Sequence, residues 1–207
     1  MRTLVPALAL CLLAPAAAWA QSPPAPTTAG DPALARQRLV RATVSVREGV
    51  VERARGVVLA GDGRVVTALA RVQGVRDLRV VYPDGRIVRA RVSAIDTAWG
   101  LAVLDGTGAR WPEGLELAER DGRSGDAASW VPAGGARPVA GTLARRRSFV
   151  GPDGALLRDA WEISPVAPRS AVGAGVVHVR TATLLGVLVA PAGDVATTGA
   201  EAPFAVP

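Results

Sequence analysis

The sequence predicts an all-β protein of two packed β-barrels behind one short N-terminal helix. Short β-branched runs recur about every ten residues between Thr43 and Val189, cut by turn dipeptides. They fall into two sets around a connector at 106–126 that is rich in Gly, Arg, Asp and Glu. A helix signal stands out at Asp31-Pro32, a capping residue followed by proline at the first helical position.

Residues 1–20 read as a signal peptide. Arg2 supplies a positive start, Leu4 to Leu13 an apolar run, and Ala18-Trp19-Ala20 a small-residue cleavage site, with cleavage expected after Ala20. The apolar run is short for a spanning helix, so no stable membrane anchor is expected. Cys11 lies inside that run behind Leu10, where lipidation requires a small residue, and no twin-Arg pair precedes it. The expected route is Sec export, and the expected destination is the periplasm or the medium. Residues 21–32 read as a disordered Pro/Ala/Thr linker. The helix is expected from Ala33 to about Arg41.

The double barrel is expected over 33–190. The first barrel, about 42–105, has strands expected at Thr43–Val46, Val57–Leu59, Val65–Thr67, Leu78–Tyr82, Ile87–Val92 and Leu101–Leu104. Gly61-Asp62-Gly63 and Pro83-Asp84-Gly85 are hairpin turns between successive runs. The second barrel, about 127–190, has strands at Ser129–Val131, Val139–Leu143, Trp161–Ile163, Gly175–Val179 and Leu184–Val189. Residues 191–207 are Ala-, Pro- and Gly-rich and read as a loose C-terminal tail.

Composition narrows the chemistry. Apolar residues make up 49% of the chain but aromatics only 4%, so the core is Val, Ala and Leu, which suits short strands rather than a large aromatic pocket. All 24 basic residues are Arg, and loss of Arg2 with the leader leaves 23 basic against 18 acidic residues. These charges are scattered along strands and loops, which reads as a solvated surface and not as a nucleic-acid footprint. Beyond the leader the chain has no cysteine, no lysine and one histidine, His178. Disulfides, Cys-His sites and Ser-Lys dyads are thereby excluded. No cluster of metal ligands and no glycine-rich phosphate loop appears, so no cofactor and no metal are expected. A Ser-His-Asp site depends on His178 alone, which sits between Val177 and Val179 in an apparent strand and reads as a structural or surface residue.

The first half resembles the HtrA/Deg branch of the trypsin-like serine proteases. Arg55-Gly56-Val57-Val58 is similar to that family's G-S-G-V-I strand, and Asp62-Gly63-Arg64-Val65-Val66-Thr67 to its D-G-Y-I-V-T hairpin. The family continues N-x-H-V; here Ala68-Leu69-Ala70-Arg71-Val72 puts Ala70 at the histidine position. Asp84-Gly85-Arg86 and Ala90-Arg91-Val92 resemble the D-G-R…A-x-V hairpin. The segment from Asp96 to Leu104 resembles D-P-x-T-D-L-A-V-L, with Gly100 at the triad aspartate. In the second half, Pro138 to Leu143 is similar to a V-x-x-G-x-V strand, and Leu184 to Val189 to the E-V-I-G-I strand. The nucleophile loop G-N-S-G-G-P-L-V finds its best match at Ser170 to Val177, with Val172, or Gly173 after a one-residue shift, at the serine.

The resemblance covers most of 42–190 and implies a trypsin-like double barrel of six-stranded type without a following PDZ-like segment. It implies a scaffold whose triad positions, Ala70, Gly100 and Val172, hold no proton-transfer group, hence a non-catalytic protein that binds a peptide or protein in the cell envelope. The turn Val172, Gly173, Ala174, Gly175 is expected to keep an anion-accepting backbone, and Trp99 to fill space beside the lost aspartate. The run Arg145-Arg146-Arg147 is expected on an exposed loop, where it is a second candidate contact for an acidic partner. Two other readings stay open: a hydrolase with a displaced site around His178, and a structural or adaptor subunit docking through the Arg run.

Overall fold

The computed structural model describes residues 31–108, 111–135, 137–150, 154, 156–191 and 203–207. The expected signal peptide and residues 21–30 of the linker lie outside them. Helix α1 (Pro32–Ala42) starts where the sequence places it: the Asp31 carboxylate accepts the Ala33 N–H at 2.8 Å, with proline in the first turn. Ala35, Leu39 and Ala42 share its buried face, and Leu39 reaches the core between the barrels.

The first barrel is β1 (Thr43–Glu48), β2 (Val51–Val58), β3 (Val65–Ala68), β4 (Leu78–Val81), β5 (Ile87–Asp96) and β6 (Leu101–Gly106), with a one-turn helix α2 (Leu69–Val72) after β3. The strands close in the order β1-β2-β3-β6-β5-β4. Both hairpin turns use the same device: Asp62 and Asp84 accept the N–H two residues on, from Arg64 and Arg86, while Gly61, Gly63 and Gly85 take positive φ. The core is aliphatic, with Val44, Val46, Val58, Val65, Val80 and Leu104 buried together. At one end Tyr82 stacks on Trp111 at 5.1 Å, with the Arg86 guanidinium 4.8 Å from the Tyr82 ring.

The second barrel is β7 (Ala127–Trp130), β8 (Val139–Val150), β9 (Leu156–Ser164), β10 (Gly175–His178), β11 (Leu184–Val189) and β12 (Phe204–Val206), closed in the order β10-β11-β12-β9-β8-β7. Two expectations are corrected here. The C-terminal residues are not all loose: Phe204, Ala205 and Val206 are buried and form β12, which pairs with β11 and with Trp161 of β9 and so closes the barrel. Three apolar residues are too few to show a period, so the Ala/Pro context hid them. The Arg run is not a loop. Arg145, Arg146 and Arg147 lie within β8, whose outer face is solvated and tolerates charge, and bulges on either side shift its register with β9.

The connector is stitched to both barrels. Leu115 donates to Val58 and accepts from Ala60 at 2.9 Å each, while Ala118 and Glu116 exchange bonds with Leu184. Between the barrels lies a shared apolar layer that includes Val57, Val66, Leu115, Val131, Val177 and Val187. Among the described residues no helix is long and apolar enough to cross a membrane.

Candidate functional site

Chain neighbours of the positions the sequence singled out meet where the barrels join: Ala68, Trp99 and Leu101 belong to or pack against the apolar cluster that holds Val172. Helix α2 carries Ala70, which is exposed. The Leu69 N–H donates to the Gly100 carbonyl at 2.8 Å, so the α2 turn and the Asp96–Gly100 turn are tied together. Asp96 accepts the Trp99 N–H at 3.0 Å, and Gly100 has φ +66°, which closes that turn. From the second barrel, a 3-10 turn at Arg169–Ala171 delivers Val172. Ala68, Val172, Val189, Phe204 and Val206 are buried in one cluster, and Trp99, Leu101 and Phe149 pack against it. Trp99 therefore lies against the apolar cluster that holds Val172. Phe149 and Phe204 stack with centroids 3.8 Å apart and ring planes 8° apart.

The turn that was expected to accept an anion has its N–H groups engaged. Ala171 donates to Pro168, Val172 to Arg169, Gly173 to Leu188 and Ala174 to Ala171, at 2.7 to 3.2 Å. The Val172 carbonyl accepts the Arg55 N–H at 3.2 Å. An oxyanion hole needs free N–H groups converging on one point, and these converge on carbonyls of the chain itself. Val172, Gly173, Ala174 and Gly175 are all buried. Gly173 has φ +88°, and a Cβ there would stand 2.1 Å from the Arg55 carbonyl oxygen and 2.6 Å from Thr67 Oγ1. Strand β2 thus presses its backbone onto this loop at a place where only glycine fits.

Arg55 joins the two halves. It belongs to β2 of the first barrel, and its guanidinium donates to the carbonyls of Pro132 and Gly135 in the second, at 3.1 and 3.0 Å. Its Nε also lies 3.1 Å from a Glu52 carboxylate oxygen, in an ion pair whose N–H is aimed at Pro132 instead. The side chain is 12% exposed, and burial pushes its pKa below the usual arginine range, against the pull of Glu52. Sequence reasoning gave Arg55 no role. The signal available was a guanidinium on a strand that turns to buried Gly and Val immediately after it.

His178 is elsewhere. It ends β10, about 10 Å of strand beyond Gly175. Its Nδ1 accepts the Thr181 N–H at 3.3 Å and lies 3.1 Å from Thr181 Oγ1, and its Nε2 is 3.9 Å from Asp126. The ring caps the β10–β11 turn with the nitrogen lone pair that a general base would need, and among the described residues no serine is its hydrogen-bond partner. The Arg run is paired throughout: Arg145 with Glu162 at 2.7 Å, Arg147 with Glu162 at 3.8 Å, and Arg146 with Asp121 at 2.8 Å. Arg146 also lies 4.8 Å from the Trp161 ring. The hydrogen bond from Arg145, followed by the two guanidinium charges, holds the Glu162 carboxyl below its usual range. Among the described residues no three His, Cys, Asp or Glu side chains gather to hold a metal ion.

A cavity of about 420 Å³ opens between the barrels, walled by Leu59, Val66, Leu101, Val103, Leu184 and Val187. Arg120 and Asp121 stand among its lining residues, and the side chains of Ile95 and Leu117 there are 58% and 65% exposed.

No protein-family model and no curated protein matches the sequence. Solved structures do match the fold. Rv3671c from M. tuberculosis, a serine-to-alanine mutant in its inactive form, superposes with a TM-score of 0.67 at 22% identity, over 89% of this chain and 89% of that one. The MamO protease domain from Magnetospirillum magneticum gives 0.68 at 20% identity, over 82% and 93%. A variant of the HtrA-type protease AlgW with a tripeptide gives 0.70 at 21% identity, over 86% of this chain and 60% of that one. At such identities the likeness is one of fold, and the fold is the double barrel of HtrA-type, trypsin-like proteases.

Proposed function

We propose that this chain is a non-catalytic protein on a trypsin-like scaffold, exported to the cell envelope, where it binds an apolar peptide or protein segment. One observation carries the reading: Val172, which motif order assigns to the nucleophile position, is buried in an apolar cluster, and the backbone N–H groups from 171 to 174 are already bonded within the fold. Peptide hydrolysis needs a nucleophile, a base to take its proton and donors for the developing oxyanion. Ala70, Gly100 and Val172 supply none of the first two, and the loop at 171–174 does not supply the third. An extended segment can still pair with strand backbone and seat nonpolar side chains, because that recognition needs no proton transfer. The apolar cavity between the barrels suits such side chains, and Arg120 and Asp121 at it suit a polar backbone.

The test has two arms on the purified mature chain. A peptide library is incubated with it and read by mass spectrometry; no cleavage above a blank is expected. A peptide array is then probed with labelled protein; enrichment of peptides with consecutive nonpolar residues is expected. Reproducible cleavage would refute the first half of the proposal, and uniform failure to bind would refute the second.

A further inference from the structure

Strand β5 has an edge that nothing covers. Strand β4 pairs only with Ile87, Val88 and Arg89; beyond them β5 pairs with β6 alone. Among the described residues, the other edge of Arg91–Asp96 has no strand neighbour. All six residues are exposed, with Val92 at 40% and Ile95 at 58%. An uncovered edge with apolar residues at Val92 and Ile95 and no proline can serve as a template for another strand.

The register shows which strand fits. Arg91, Val92, Ala94, Ile95 and Asp96 stand opposite five consecutive residues of β6: Asp105, Leu104, Val103, Ala102 and Leu101. Ser93 is the inserted residue of a β-bulge, so it adds no position to the ladder. Read by ladder position, the strand runs basic, apolar, small, apolar, acidic. Arg91, Ala94 and Asp96 share one face and Val92 and Ile95 the other. That pattern is its own antiparallel complement. A twofold axis of an antiparallel pair passes through a residue facing its own copy, and here that residue is Ala94.

We propose that two copies of this chain associate by adding β5 to β5 antiparallel about Ala94. Arg91 of each copy then faces Asp96 of the other, and Val92 faces Ile95. Opposite charges and apolar pairs directly across a ladder are the favourable cross-strand combinations. Arg91 makes no ion pair among the described residues, and Asp96 has one carboxylate oxygen engaged by the Trp99 N–H and the other available. The two first barrels would become one continuous sheet. The contact is small, so a weak, reversible dimer is expected. This association stands on the register of β5 and does not rest on peptide binding, although Ala94, Ile95 and Asp96 also line the inter-barrel cavity.

Sedimentation velocity of the mature chain from about 10 µM to about 1 mM tests it. A reversible monomer–dimer equilibrium is expected. Ile95→Lys and Arg91→Asp each weaken it about tenfold or more, as does Asp96→Arg. Because the contact is twofold, mixing Arg91→Asp chains with Asp96→Arg chains restores two opposite-charge pairs, and the mixture is expected within about threefold of the unaltered protein. Asp96→Arg also removes the bond to Trp99, so its fold is checked by circular dichroism; should it unfold, concentration-dependent amide-exchange protection of residues 91–96 decides instead. A chain that stays monomeric throughout overturns the proposal. So does a dimer indifferent to these substitutions, a mixture no tighter than either variant alone, or absence of that protection.

Discussion

On the first-barrel side of the junction, Ala70 is exposed on α2, and Gly100 is buried and closes a turn at positive φ. On the second-barrel side, Val172 is buried in an apolar cluster, the N–H groups from 171 to 174 are bonded within the fold, and Phe204 stacks on Phe149. On the proposed reading the Ala70 position has been emptied, whereas the Val172 side has been rebuilt. The difference teaches where the scaffold is committed. Introducing a base at Ala70 is a surface change, while introducing a nucleophile and oxyanion donors around Val172 means undoing packing and hydrogen bonds.

The comparison is broken most severely by substitutions on the rebuilt side. Gly173→Ala drives a Cβ into the Arg55 carbonyl at a positive φ, and Phe204→Ala empties a buried ring site; the latter is expected to cost about 3–5 kcal/mol, read by urea unfolding, and the former at least as much. Arg55→Met comes next. It leaves the Pro132 and Gly135 carbonyls without their donor and Glu52 without its counter-charge, at about 2–4 kcal/mol in the same measurement. By contrast Ala70→His on the emptied side should shift stability by no more than about 0.5 kcal/mol.

Catalysis sharpens the contrast. The triple variant Ala70→His, Gly100→Asp, Val172→Ser is expected to show no turnover of fluorogenic peptides. A missing oxyanion donor alone costs about 10²–10³ in rate, and here the loop offers none. The smallest effect belongs to the Arg run. The Glu162 carboxyl is held below its usual value by Arg145 and Arg147, so its stabilisation is present above the unfolded carboxylate pKa and fades as pH falls through the lower folded value. Arg145→Glu should lower the melting temperature slightly at neutral pH, with the gap to the unaltered protein closing in acid, because the pair is largely solvated.

The two barrels were also unequally legible. In the first, two hairpin turns announce themselves locally through Asp62-Gly63 and Asp84-Gly85, and the strands beside them are Val-rich, so position and partner follow there from short-range chemistry. In the second, closure depends on Phe204–Val206, separated from β11 by residues 190–203, and on a β8 whose exposed half is written in arginine. Neither carries a local signal, since a pairing set by tertiary contact leaves no period in a three-residue strand. The assignment of Ala70, Gly100 and Val172 to triad positions rests on motif order alone. The Phe149–Phe204 stack, the Arg55 bridge and the bond from Gly173 to Leu188 were not readable in the sequence, because each joins positions far apart in the chain.

The central claim, that the junction of the barrels has no means of attacking an amide, is tested most directly with a fluorophosphonate probe on the purified mature chain. The account predicts no labelling beyond that of heat-denatured protein. Stoichiometric labelling that heating abolishes, mapped to a hydroxyl such as Ser170 or Thr181, would contradict it.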